Sequence, residues 1–145
     1  MVLIFMLDSD TLHKLDRSTV WPIQRNVASM RVLCQLAENH GISLADCLRN
    51  TQVSIAQLND PYAQVSAQQE LQLIDNILAA KKHTEHYLGL EAGGYYHLNT
   101  FGIWGFALVN SPTLRDAIDL GLRYLDLTFA FNQVHRHEQQ DDVWL

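Results

Sequence analysis

The sequence lacks a long apolar run, and no stretch of its 145 residues approaches the roughly 18 to 20 residues that cross a bilayer. The apolar opening from Met1 to Leu7 is short and is followed by Asp8 and Asp10, with no basic stretch before it. It therefore predicts neither a signal peptide nor a membrane anchor. We expect a cytoplasmic protein without a membrane partner.

Positive charge is also scarce. Ten Lys and Arg residues stand against sixteen Asp and Glu residues, which leaves a net charge of −6. The densest basic spot, Lys81-Lys82, is soon followed by Glu85. A nucleic-acid-binding module needs a basic face, because counterion release supplies most of its affinity. The chain itself is therefore not expected to bind DNA or RNA.

Cysteine is rare, and the usual catalytic motifs are missing. Cys34 and Cys47 both fall in helical patterns, which suits a reducing compartment. Neither stands beside a histidine, and the sequence has no Gly-x-Ser-x-Gly elbow. We therefore expect no enzyme, no catalytic residue and no cofactor.

Seven histidines leave a metal site as an alternative. His83 and His86 share a face of a predicted helix, and His135 and His137 share a face of a predicted strand. Either pair has the spacing for two zinc ligands, with His97 or Glu85 as a possible third. Both pairs stand in polar stretches, and no Cys-x-x-Cys or His-Glu-x-x-His motif is present. We predict no metal site, and a His-based metal-binding protein stays an alternative.

Apolar residues recur at helical spacing over most of the chain. Predicted helices span about 23–39, a short segment from Ser43, a single turn from Ser54 to Asp60, then about 67–82, 83–93, 98–109 and 111–127. Gly41 stands where a C-cap is expected, and Ser66 with Gln69 forms a capping-box pattern. Ser111-Pro112 is typical of a helix start, and Gly94 marks a predicted break.

After residue 127 the apolar period drops to two. Leu127, Phe129 and Phe131 alternate with small or polar residues, which indicates a strand. A polar turn at Gln139–Asp142 then leads to a second strand of three residues. We expect an α+β fold, a predominantly helical layer packed on the start of an antiparallel sheet. Because so short a hairpin is marginal alone, the sheet is expected to be truncated at the C-terminus.

The region from Gly102 to Leu125 combines Gly-x-x-Gly, Ser-Pro-Thr-Leu and Arg-Tyr in that order. It resembles the N-terminal effector-binding domain, usually called arabinose-binding-like, of AraC/XylS-family bacterial transcription regulators. The patterns at 65–71, 89–93 and 96–98 agree with it. The resemblance spans about residues 24–138.

The resemblance implies that residues 1–145 are an N-terminal regulatory domain that senses a small-molecule effector, forms a homodimer, or both. It also implies a C-terminal helix-turn-helix domain, absent from this chain, through which the full-length protein would bind promoter DNA. A ligand-free dimerisation domain is the alternative. The candidate dimer contacts are helix 23–39 and the apolar segment 1–7.

The aromatic residues after position 94 predict an apolar effector pocket with a few polar tips. Arg123 follows them on a predicted helix, where it can pair bidentately with an anionic effector. The candidate ligand-binding residues are Tyr95, Tyr96, His97, Phe101, Trp104 and Arg123. For each residue alone, packing in the core or pairing with a nearby Asp stays the alternative.

Overall fold

The computed structural model describes residues 24–81, 88–131 and 134, together with the backbone of two strands near the C-terminus. The helices are α1 (Ala28–Asn39), α2 (Leu44–Cys47), α3 (Ile55–Asn59), α4 (Ala67–Ala80), α5 (Leu88–Tyr95), α6 (Gly102–Val109) and α7 (Leu114–Arg123). The strands are β1 (Arg25–Asn26), β2 (Gln64–Val65), β3 (His137–Gln139) and β4 (Asp142–Trp144). Two 3-10 turns cover Leu98–Phe101 and Leu125–Leu127. Within the described ranges, no helix is long and apolar enough to cross a membrane.

The chain enters α1 from a short strand. β1 and β2 pair antiparallel, and the Asn26 side chain then accepts the N–H of Ala28 at 2.8 Å, which turns the chain into α1. The predicted helix from residue 23 is therefore wrong over 24–27. Pairing with a strand distant in sequence holds this segment extended, and local periodicity does not report such pairing.

The predicted helix caps in the first half are confirmed. The Ser43 hydroxyl accepts from the backbone N–H three residues on, and Ser54 and Ser66 each form a capping box with the glutamine at that position. Gly41 follows α1 with a φ of 74°, a left-handed conformation that glycine adopts without strain. Helix α4 ends at Ala80, close to its predicted end.

The helices after residue 88 begin and end at different residues from those predicted. Helix α5 continues through Gly94 to Tyr95, so the break predicted near Gly94 lies at residues 96–97, and residues 98–101 form a 3-10 turn instead of α-helix. The first part of the predicted helix 83–93 lies outside the described residues.

The N-cap of helix α7 lies two residues after its predicted position. Thr113, not Ser111, accepts the N–H of Asp116 at 3.1 Å, while the Ser111 hydroxyl donates back to the Ala107 carbonyl at 3.1 Å. The predicted cap at Ser111 is therefore wrong because this hydroxyl is used by the preceding helix. Helix α7 ends at Arg123, short of its predicted end.

The predicted strand is also wrong over the described residues 127–131, because these form the end of a 3-10 turn and then a turn without strand pairing. Phe129 and Phe131 are nevertheless buried, but they pack into two different clusters. The predicted second strand is confirmed as β4, and its antiparallel partner is β3, with His137 opposite Trp144. The mostly helical α+β class is confirmed.

The main core surrounds α1. Its buried side chains include Met30, Leu33 and Leu36, which lie in one cluster with Leu73 and Ile77 of α4. Each fully buried aliphatic side chain stabilises the fold by roughly 1.5–3 kcal/mol. The broad apolar stripe of α1 is thus occupied within the chain, by α2, α4 and α5.

Candidate functional site

An open cleft of about 540 Å³ lies where three parts of the chain meet. Its lining comes from β1 with the first turns of α1, from the turn at 98–102 and from residues 126–129, together with Gln64 of β2. Ligand pockets for small molecules commonly measure roughly 300–1,000 Å³. The cleft therefore has the volume of a small-molecule site.

An aromatic cluster forms the apolar wall of the cleft. The rings of Phe101 and Phe129, which both line it, lie 5.4 Å apart between centroids. Trp104 and Tyr96 pack behind Phe101, at 5.4 Å and 5.9 Å. Tilted pairs at these distances are favourable contacts beyond simple burial. The wall is thus already packed without a ligand.

Two glycines allow α6 to hold this wall in place. A Cβ added at Gly105 would lie 1.7 Å from the carbonyl oxygen of Leu98, so only glycine lets α6 press on the 3-10 turn. A Cβ at Gly121 would lie 3.3 Å from the Trp104 ring, whose Nε1–H donates to the Gly121 carbonyl at 3.2 Å. The position of the cleft wall therefore depends on close backbone packing.

A buried polar network lies beside the cleft and joins β1, α1 and α4. Arg25 Nη1 donates to Glu70 Oε2 at 3.3 Å, and the Ser29 hydroxyl donates to Glu70 Oε1. The Tyr96 hydroxyl lies 2.6 Å from Ser29 Oγ. Because Ser29 gives its single proton to Glu70, Tyr96 is the donor in that contact. The network ties the aromatic wall to the main core.

Burial dominates the acid–base behaviour of this network. It raises the pKa of Glu70, although the hydrogen bond from Ser29 and the charge of Arg25 oppose the rise. Burial and the neighbouring Glu70 also raise the pKa of Tyr96, which keeps its phenol protonated as the donor that the network needs.

The guanidinium of Arg25 has more N–H donors than the acceptors around it can pair. Its side chain is only 4% exposed, and its guanidinium lies 4.5 Å from the Phe131 ring centroid. Among the described contacts, Nη1 has a partner, whereas Nε and Nη2 are buried without a hydrogen bond. A buried charged donor without an acceptor is costly, so this arginine stands out as a candidate ligand contact.

The comparison with known families gives a decisive match. Residues 41–145 match the family described as the arabinose-binding domain of AraC transcription regulators, N-terminal. This range includes the aromatic wall and most of the helical core. The chain belongs to this family.

Two curated relatives of this AraC-type domain are the uncharacterised HTH-type transcriptional regulators Mb1430 of Mycobacterium bovis and Rv1395 of Mycobacterium tuberculosis. Each is 32% identical over 120 residues, which is 83% of this chain and 35% of the relative. The chain therefore spans about a third of the length of these regulators. The family and these relatives are described as transcription regulators. No solved structure matches the chain.

The six residues predicted to bind ligand in this AraC-type domain are spread over several environments. Phe101 lines the cleft, whereas Tyr96 and Trp104 pack behind it. Tyr95 packs on the main core, where its hydroxyl accepts from the Asn39 amide at 2.7 Å. The remaining two are exposed: His97 precedes the 3-10 turn, and Arg123 ends α7. Their roles as ligand contacts stay predictions.

Sequence reasoning missed the charged residues at the cleft, which are Arg25, Arg31 and Asp126. It also missed Glu70, although a signal was present. Glu70 falls on the helical stripe that Leu73 and Ile77 continue, where an acidic residue indicates a buried partner. No comparable local signal marks Arg25.

Both cysteines lie in the main core as free thiols. Burial, then the neighbouring Cys47, raises the pKa of Cys34 to about 12. A thiol with so high a pKa carries almost no thiolate at neutral pH. Cys34 therefore packs in the core as an unreactive side chain.

The predicted histidine pairs at 83/86 and 135/137 lie outside the side chains that the structure describes. Among the described side chains, no three His, Cys, Asp or Glu residues come together as a metal site would require. The metal-binding alternative therefore draws no support from the described part of the chain.

Proposed function

We propose that this chain is the signal-receiving domain of an AraC-type transcription regulator and that its cleft binds a small-molecule effector. The observation that carries the proposal is the 540 Å³ cleft with one packed aromatic wall and one polar wall. Such a combination of apolar surface and a few placed polar groups is typical of ligand sites. We assign the cleft a role in binding and no catalytic role.

The position of the cleft suggests how binding is transmitted. An effector there contacts β1 with α1, the turn at 98–102 and residues 126–129 at once. It favours whichever arrangement of these segments it binds more tightly, and the shift equals the difference in affinity. In the full-length protein a C-terminal helix-turn-helix domain would report that shift at the promoter. The net charge of −6 supports a proposal in which the helix-turn-helix domain binds DNA and this acidic domain does not.

A second candidate function, homodimerisation, is favoured by the apolar surface of α6. Ile103, Phe106 and Val109 are 77%, 67% and 62% exposed, and Leu114 at the start of α7 is 77% exposed. Neighbouring exposed apolar residues of this size are typical of protein interfaces. The earlier candidates fit less well, because α1 is used by the core and residues 1–7 lie outside the described residues.

A thermal-shift screen tests effector binding. The chain is heated with sugars, amino acids, fatty acids, aromatic acids and their neutral analogues. A ligand at 100 times its dissociation constant adds about 2.7 kcal/mol of stability, which is readily measured as a higher melting temperature.

The matched variants are Asn99→Trp, which places a large ring on the cleft lining, and Asn59→Trp at an exposed site on α3. We expect Asn99→Trp alone to abolish the shift. Equal melting temperatures across the whole screen, or shifts that survive in Asn99→Trp, would contradict the proposal.

A further inference from the structure

The two unpaired nitrogens of Arg25 form a recognisable binding geometry. Nε and Nη2 carry parallel N–H bonds along one edge of the guanidinium, an arrangement that matches the two oxygens of a carboxylate. Nη1, which lies off this edge, is held by Glu70, and the ring of Phe131 covers the guanidinium plane. The edge that lacks acceptors among the described contacts is thus the one suited to a bidentate ligand.

The charged residues of the cleft lining also favour an anionic ligand. Arg25 and Arg31 border the cleft, against the single carboxylate of Asp126. Among the described residues, no acidic side chain pairs with Arg31. Because Glu70 offsets the charge of Arg25 from behind the lining, Arg31 is the lining cation that no described carboxylate pairs, in a chain whose net charge is −6. An arginine without a paired carboxylate beside the cleft favours an anionic ligand.

We propose that the effector of this domain is a small organic acid whose carboxylate Arg25 holds through Nε and Nη2. The apolar body of the acid lies against Phe101 and Phe129, and Arg31 offsets the added negative charge. This inference rests on the proposed function, because it assigns a ligand class to the same cleft. A bound carboxylate supplies the acceptors that the buried guanidinium lacks, and charge-assisted bidentate pairs are among the strong hydrogen-bonded contacts.

Matched acids and amides test the ligand class. Calorimetric titration of the chain compares hexanoate with hexanamide, benzoate with benzamide, and 3-phenylpropionate with its amide at pH 7. Each pair has nearly the same shape and differs in charge and in acceptor oxygens. We expect at least one acid to bind, with its amide at least tenfold weaker.

Three variants test the residue. Arg25→Met with Glu70→Met removes the buried pair without leaving a lone charge, and it is expected to weaken the acid at least tenfold while leaving the amide unchanged. Arg25→Lys keeps the charge but loses the paired N–H donors of the guanidinium. It is also expected to weaken the acid at least tenfold, and it tests the residue if the double variant does not fold. Arg49→Gln, at an exposed ion pair with Asp46 outside the cleft lining, is the control and is expected to bind normally.

The outcomes separate the two proposals. Acid binding that needs Arg25 supports both. Amides or sugars that bind as tightly as the acids, lose binding in Asn99→Trp and keep it in the Arg25 variants overturn the carboxylate inference and leave the effector cleft standing. A chain that binds none of these compounds, neutral or charged, contradicts both.

Discussion

A buried ion pair lies beside the cleft, and the proposal gives it a role in ligand binding as well as in stability. Arg25 and Glu70 lie on different elements, β1 and α4, and their contact is shielded from water. Removing one partner leaves the other charged in an apolar surrounding, whereas removing both leaves an apolar contact. Stability measurements on the single and double variants therefore reveal whether the pair is coupled in the folded chain.

The first prediction is strong coupling between these two residues. Arg25→Met alone is expected to lower the free energy of unfolding by about 3–5 kcal/mol, because Glu70 loses its cation. The double variant with Glu70→Met is expected to lose markedly less than the two single changes added together. Urea unfolding of the four proteins measures this. Simple additivity would show that the two residues do not interact.

The second prediction concerns the Cys34 thiol. Its pKa is about 12 in the folded chain, against an ordinary value of 9.0, so the unfolded state loses the thiol proton first as pH rises. The stability contribution of the protonated thiol is therefore complete below pH 9 and is lost progressively between 9 and 12. Unfolding measured from pH 8 to 10.5 is expected to show a steeper loss in wild type than in Cys34→Ala. Parallel curves would mean that the thiol is not buried as described.

At the scale of helices and turns, close packing of α6 decides the shape of the cleft. Helix α6 contacts the 3-10 turn at 98–101 through Gly105 and α7 through Gly121. The turn supplies one wall of the cleft, so a change in the helix alters the site without touching its lining. The packing of this helix therefore affects both the stability of the fold and the shape of the cleft.

The third prediction compares two glycines. Gly105→Ala places a methyl carbon 1.7 Å from a backbone oxygen, and we expect it to destabilise the fold by about 3 kcal/mol or more. Gly94→Ala in α5 meets nothing within 4 Å and is expected to be neutral or to stabilise by up to about 1 kcal/mol. Thermal unfolding distinguishes them. Equal effects would contradict the close contact.

Local chemistry explains which elements were predictable. Ser43, Ser54 and Ser66 bond to backbone groups three residues away, so their helices could be predicted from sequence. The pairing of β1 with β2 and the burial of Phe129 and Phe131 in separate clusters depend on contacts distant in sequence. The cleft was missed for the same reason. Its lining comes from three segments that are far apart in the sequence, together with Gln64. Of the six predicted ligand residues, Phe101 is the one that lines the cleft.

At the scale of the whole molecule, the proposed regulator consists of an acidic receiving domain and a separate DNA-binding part. The family match and the two mycobacterial relatives support this division, since this chain covers 35% of their length. The cleft and the exposed surface of α6 are the proposed sites for an effector and for a second copy of the chain.

The fourth prediction concerns that second copy. Phe106→Glu adds a charge to an exposed apolar surface and is expected to convert a dimer into a monomer with little change in melting temperature. Sedimentation equilibrium measures the mass. Ile55→Glu, also exposed but on α3, is the control and is expected to leave the dimer intact. A monomeric wild type, or an unchanged dimer in Phe106→Glu, would contradict an interface at α6.

Amide hydrogen exchange, read by mass spectrometry with and without the most stabilising compound of the screen, tests the central claim most directly. The claim predicts slower exchange at 24–31, 98–102 and 126–129 on binding, with no change at 44–59, which does not border the cleft. Protection confined to 44–59, or no change anywhere because no compound stabilises the chain, would contradict it.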